Sequence, residues 1–269
     1  MEKMHYDRQG YEDEIAASYG LHTPDKNGTE GNMYEKIEKE LPDLRGKVIL
    51  DAGCGQCRWA PLFMERGASK IIGVDSSKEQ LDRIPEEIRN KMTVIHGGLQ
   101  DKLPEFGPNA DIGWACFSVC CFPDPAEPIE AIHRSLKPNG KMIVATNVFV
   151  PAELAKKVTR HDESMQIQIR DYKAHEGSPV LGRYFRHVLE DGNVPLQDCG
   201  HGLPEYERAL RNWADVNVKM MRPQGIKYID AQDTEANIRF YGAPADEKVI
   251  SAQKEGLEYM KLCITATKK

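Results

Sequence analysis

At 269 residues, 40% of them hydrophobic and 29% charged, the chain has the size and balance of one enlarged globular domain. No apolar run approaches the roughly 20 residues that a membrane-spanning helix needs. A formal charge of −6 argues against a large phosphate-binding surface, so small-molecule chemistry is expected rather than a nucleic-acid partner or a membrane.

In chain order, the residues before about Leu44 read as polar helices carrying Tyr6, Tyr11, Tyr19 and Tyr34. They are too poor in aliphatics for a core of their own, and residues 1–46 are expected to form an N-terminal helical cap. The opening stretch "MEKMHYDRQGYEDEIAASYG" lacks the apolar centre of a secretory signal, which predicts a cytoplasmic protein. Seven cysteines, an odd count, are then expected to stay reduced.

From residue 47 to 147 apolar runs alternate with amphipathic ones. Strands are predicted at "KVILDAG", "KIIGVDS", "MTVIHGG", "ADIGWACFS" and "KMIVATN", with helices over about Gln56 to Arg66, Lys78 to Arg89 and Pro125 to Leu136. Strand–helix–strand periods this short imply a doubly wound, Rossmann-like parallel sheet. Residues 148–204 look like an insertion over the sheet. It contains a short helix near Ala152 to Lys157 and, in "RYFRHVLEDGNVPLQD", two strand-like arms about an Asp191-Gly192-Asn193 turn. Residues 205–269 are expected to complete the sheet through the helix "LPEYERALRNW", the strand "DVNVKMM", a polar helix near Glu247 to Glu255 and the final strand "YMKLCITATKK".

In an open α/β sheet a ligand binds beyond the carboxyl ends of the strands, and Asp51, Gly53 and Gly55 fall at such an end. Glycines there let backbone approach a ligand closely. Asp75, followed by Ser76, ends the second strand, where a carboxylate can accept from both hydroxyls of a ribose. Two strand ends thus describe one nucleoside ligand. A dinucleotide-binding dehydrogenase is the alternative within this fold, but "GCGQCR" has no third glycine, and Asp51 would sit badly beside a pyrophosphate.

The motifs "VILDAGCGQC", "IIGVDSS", "ADIGWACFSVCCFPDP" and "LKPNGKMIVAT", in this order, resemble those of class I S-adenosylmethionine-dependent methyltransferases over about Lys47 to Asn147. "NMYEKIEKELPDLRGK", "CGHGLPEYERAL" and "FYGAPADE" resemble, more loosely, a small-molecule subgroup. The resemblance implies a seven-stranded sheet with an antiparallel last strand and S-adenosyl-L-methionine as cofactor. It implies that Gly53, Cys54 and Gly55 wrap the methionine portion, with Asp51 near its ammonium. Asp75 would hold the ribose, Gly98 and Leu99 edge the adenine, and Cys116 and Phe117 border the sulfonium. Many relatives have an acid where Gly98 stands and an apolar residue where Gln80 stands. Gln80 is therefore expected to supply the polar contact to adenine, the alternative being backbone with Asp101.

A sulfonium methyl is already activated, so transfer is an in-line displacement governed largely by positioning. An acceptor that must lose a proton needs a base, and His201 in "CGHGLP" and His187 in "YFRHVLED" are the candidates, both in the expected cover. Tyr19 and Tyr34, in the N-terminal cap, either close over the cofactor or serve as ordinary packing tyrosines. The Cys54-x-x-Cys57 spacing and the adjacent Cys120-Cys121 raise a metal site, but a structural zinc needs four converging ligands and none is expected here. A cofactor-binding regulator without catalysis is the alternative of a different class.

Overall fold

The computed structural model describes residues 31–158, 164–167, 184–188, 195–199, 201–221 and 257–269. Helix α1 (Gly31–Glu38) precedes β1 (Val48–Ala52), α2 (Ala60–Glu65), β2 (Lys70–Asp75), α3 (Lys78–Asp82), α4 (Glu86–Arg89), β3 (Thr93–His96), α5 (Leu99–Phe106) and β4 (Ala110–Cys116). A 3-10 turn (Val119–Cys121) leads to α6 (Ala126–Ser135), β5 (Leu136–Pro151) and α7 (Ala152–Ala155). The chain continues with β6 (Ser164–Ile167), β7 (Tyr184–Val188), β8 (Pro195–Cys199), α8 (Leu203–Ala209), β9 (Trp213–Met221) and β10 (Leu257–Lys268).

The sheet order is β3-β2-β1-β4-β5-β10-β9-β6, and β7 pairs with β8 in a separate antiparallel ribbon. The first five strands are mutually parallel, whereas β10 runs antiparallel to both β5 and β9. This is the expected doubly wound sheet with an antiparallel last strand, but it has eight strands rather than seven. The additional one is β6, whose four residues pair with Val218 to Met221 of β9.

The period of two in each strand divides the core between the two faces. Leu50, Ile72, Met142 and Val144 pack with Leu103 of α5, Ile129 and Ile132 of α6 and Tyr206 of α8. Their neighbours Ile49, Ile71 and Ile143 turn to the opposite face, with Ile37 of α1, Phe63 of α2 and Trp114. Strands buried on both faces must be nearly all apolar, which explains the uninterrupted aliphatic runs.

The helices depart from the predicted bounds at identifiable residues. The helix expected from Lys78 to Arg89 is two, divided at Pro85, which has no N–H to donate and disfavours a helical residue before it. The one expected from Gln56 starts only at Ala60, because Cys57 has left-handed backbone (φ 57°). Helix α5 was not foreseen; its sequence, "LQDKLPEF", carries a proline and no extended apolar stripe. The "KPNG" segment lies inside β5 as a bulge: Ala110 pairs with Leu136, but Ile112 pairs with Lys141. The polar helix expected near Glu247 to Glu255 lies outside the described residues, as does the turn between β7 and β8.

Candidate active site

Strand order reverses at β1, which lies between β2 and β4, and the crevice beyond its carboxyl end is the place where such folds bind ligands. A cavity of about 220 Å³ opens there. Asp51, Gly53, Cys54, Gly55, Gln80 and Cys116 line it, as the sequence predicts. Gln56, Arg58, Trp59, Pro85 and Ile88 line it as well and were not predicted. Arg58 and Trp59 follow the glycine loop directly, so their place after Gly55 was the available signal. Pro85 comes from the helix break and Ile88 from α4, and neither carries a motif.

The loop after β1 is fastened from two sides. Gly53 and Cys54 donate their N–H groups to the Val74 carbonyl at 2.8 and 3.1 Å, and Gly55 donates to Asp75 Oδ2 at 2.8 Å. Gly53 has φ 74°, and a Cβ placed on it would lie 2.2 Å from Cβ of Ser118. The Ser118 hydroxyl donates to the Ala52 carbonyl at 2.7 Å, so the serine is held against that glycine. Only glycine meets both the dihedral and the steric requirement.

Asp51 is 1% exposed, and its Oδ2 has no hydrogen-bond partner among the described residues. Burial, together with the charge of Asp75, raises its carboxyl to about 7, against an opposing pull from Arg58. Asp75 is raised by burial and held down by the N–H groups of Ser77 and Gly55, with Ser77 N at 2.9 Å from Oδ1. The Ser76 carbonyl accepts from His96 Nε2 at 3.0 Å. Ser77 caps α3 by accepting from Gln80 N at 3.2 Å, which brings the buried Gln80 side chain to the cavity wall.

Gly98 is the residue before α5, and Leu99 is 4% exposed, packed in the core beneath the sheet's end. The Cys116 thiol is pushed up to about 12 by burial and behaves as an apolar wall. Phe117 takes left-handed backbone (φ 56°) while its N–H donates to Ala145 at 2.8 Å. Tyr34 of α1 is buried, with its ring 5.7 Å from Trp59 and 6.3 Å, edge-on, from Phe117; of these three rings only Trp59 lines the cavity. Tyr19 lies outside the described residues.

His201 is 1% exposed, donates from Nε2 to the Phe122 carbonyl at 2.8 Å, and packs edge-on to Tyr206. It does not line the cavity. Among the described residues His201 thus ties its segment to Phe122 away from the cavity wall. His187 pairs with Leu196 in the β7–β8 ribbon, and its side chain lies outside the described residues. Cys54 and Cys57 both approach the Gly55 carbonyl, at 3.7 and 4.0 Å, and the Cys54 thiol is pushed well up by Cys57 and burial. Among the described residues no three His, Cys, Asp or Glu side chains are grouped to hold a metal ion, and no helix is long and apolar enough to cross a membrane.

These features define an open α/β protein with a cavity at its switch point, walled by a buried acid, two glycines and the Trp59 ring. Residues 50–144 match the family described as "Methyltransferase domain". A 27-O-demethylrifamycin SV methyltransferase of Amycolatopsis mediterranei is 21% identical over 221 residues, covering 80% of this chain and 78% of that protein. A tRNA U34 carboxymethyltransferase of Desulfotalea psychrophila is 28% identical over 117 residues, covering 42% and 36%. The chain spans about half the length, or less, of most curated relatives it matches. Geranyl diphosphate C-methyltransferase from Streptomyces coelicolor, solved with Mg2+, geranyl-S-thiolodiphosphate and S-adenosyl-L-homocysteine, superposes with a TM-score of 0.58 at 16% identity, covering 89% of this chain and 76% of that one. Residues 50–144 thus carry a methyltransferase domain, and the fold is shared with structures solved with S-adenosylmethionine or S-adenosylhomocysteine.

Proposed function

We propose that the protein transfers a methyl group from S-adenosylmethionine to a small-molecule acceptor. The observation that carries this reading is Asp51: a buried carboxylate oxygen without a partner among the described residues, on the wall of the switch-point cavity. A buried carboxylate in that condition is costly unless a cation meets it, and the cofactor's ammonium is such a cation. Arg58, on the same wall, brings the positive charge that suits the carboxylate of the same amino-acid group. A carboxylate offers about four lone-pair sites, so Asp75 can hold the Gly55 and Ser77 amides and still accept from a ribose.

When bound, the cofactor supplies a methyl group on a sulfonium, activated for in-line displacement. The task of the chain is then to bind, align and exclude water. Cys116 walls the cavity at the end of β4, Gln80 would face the adenine, and Trp59, backed by the Tyr34 ring, supplies an aromatic wall. His201 acts as a positioning residue: through the Phe122 carbonyl it ties the start of α8 to the segment that follows Phe117. Residues 1–46 and 148–204 cover the acceptor, since specificity in such folds is carried by segments added to a rigid sheet. The charge of −6 supports a small acceptor over a nucleic acid.

Isothermal titration with S-adenosylmethionine, S-adenosylhomocysteine and NAD tests the site, with both sulfur nucleosides expected to bind and NAD not. Incubation with methyl-labelled cofactor and, separately, a metabolite pool and bulk tRNA tests the acceptor. Label is expected in small molecules; label in tRNA alone would overturn that class, and binding without any transfer would make the protein a regulator.

A further inference from the structure

Asp51 and Arg58 match the ammonium and the carboxylate of an amino-acid group, but a methyl donor of this kind carries a third charge. Its sulfonium is a cation that donates no hydrogen bond. It is joined to the ammonium-bearing carbon through two methylenes, so an ammonium at Asp51 keeps the sulfonium within the same small cavity. With one carboxylate and one guanidinium on the wall already matched, that sulfonium is a positive charge in excess. Among the described residues that line the cavity, Asp51 is the only acid and Trp59 the only aromatic ring.

Trp59 is fixed where it stands. It directly precedes α2, its ring lies 4.8 Å, edge-on, from Trp114 and 5.7 Å from Tyr34, and its indole N–H bonds to the Cys116 thiol. The charges of Asp51 and Arg58 act on that same thiol, so the ring, the acid and the guanidinium gather about one point of the wall. Trp59 is 8% exposed, and a π face attracts a cation more strongly where water is largely excluded. S-adenosylmethionine and S-adenosylhomocysteine differ only in the sulfonium methyl and the charge it places on sulfur. We propose that Trp59 distinguishes the methyl donor from its demethylated product by taking the sulfonium charge on its indole ring. This rests on the methyltransferase reading above. Once the methyl has left, the sulfur is a neutral thioether, the attraction is gone, and product leaves more readily than donor.

The test uses the full chain and two titrations, S-adenosylhomocysteine first; failure of that titration sinks the methyltransferase reading and this inference together. The quantity read is the ratio of the Kd for S-adenosylmethionine to the Kd for S-adenosylhomocysteine, because any packing that the ring gives the shared parts of both ligands cancels in it. Trp59→Leu should raise the ratio about 3–30-fold, the range expected for a cation on an indole face, and Trp59→Phe should raise it less. With S-adenosylhomocysteine bound, a ratio that stays flat in Trp59→Leu overturns the proposal and leaves Trp59 a packing residue between Trp114 and Tyr34. Should these variants fail to fold, the wild-type sequence made with fluorinated tryptophans decides the matter, since fluorine keeps the shape of the indole and withdraws electron density from its π face. Trp114 and Trp213 are exchanged as well, but neither lines the cavity. The ratio should climb with the number of fluorines per ring, and a ratio indifferent to fluorination overturns the proposal.

Discussion

Replacing Asp51 with asparagine should stabilise the protein while impairing it. The carboxyl is raised from 3.8 to about 7 in the fold, so between those pH values the folded chain binds a proton that the unfolded chain has lost. Stability therefore falls as pH rises through that window, and above pH 7 the full penalty of a buried ionised group is present. A rise of about three pH units corresponds to about 4 kcal/mol at about 1.4 kcal/mol per unit. Asparagine keeps the shape and drops the charge, so Asp51→Asn should be about 2–4 kcal/mol more stable than the parent at pH 8. Below pH 4 the two should be nearly equal. Urea unfolding of both proteins at pH 4, 6 and 8, without nucleoside, measures the difference. Binding should show the opposite preference. S-adenosylmethionine must meet an ionised Asp51, so affinity should drop about tenfold per pH unit below 7 in the parent, and be weak and flat with pH in the variant. A stability difference that does not grow with pH, or a variant that binds as well as the parent, would refute the assignment of Asp51 to the cofactor's ammonium.

Asp75→Ala removes the acceptor for Gly55 and Ser77 as well as the expected ribose contact, and should weaken cofactor binding by about 1–3 kcal/mol in titration calorimetry; an unchanged constant would take Asp75 out of the site. His201→Ala should lower unfolding stability by about 1–3 kcal/mol, because the Phe122 carbonyl loses its donor, while the pH profile of turnover keeps its shape. A loss of about 10²–10⁴-fold with a flattened profile would instead make it the general base. Gly53→Ala, which drives a methyl into Ser118 at a positive φ, should cost more than about 1 kcal/mol in thermal or chemical unfolding, and an unaltered midpoint would contradict the loop geometry.

The inner parallel strands β1, β2, β4 and β5 were legible because burial on both faces leaves a largely apolar run, and the glycine loop because two positive-φ residues at a strand end have few substitutes. Short elements were not. Ser164–Ile167 forms a strand through its pairing with β9, and nothing in "SMQI" by itself demands that. The same limit explains His201: a histidine in a glycine-rich turn looks alike whether it faces a ligand or a carbonyl, and only the approach of Phe122, 79 positions away in the chain, distinguishes them. Arg58 and Trp59 were hidden by the expectation of a helix from Gln56. The left-handed Cys57 delays that helix and turns both side chains to the cavity.

The place of β10 has a bearing on synthesis. It is made after β9, yet lies between β9 and β5, paired from Leu257 opposite Pro151 to Thr267 opposite Lys141. While the ribosome is still short of residue 257, the long β5 has an open edge, and β9 with its small partner β6 has nowhere to dock. An exposed edge of that length invites pairing with another nascent chain. The cofactor loop, built from β1, β2 and β4, can be in place before that edge is closed, so early nucleoside binding would steady the half-made sheet during its most aggregation-prone interval. Removing residues 257–269 should accordingly yield insoluble protein rather than a smaller working one.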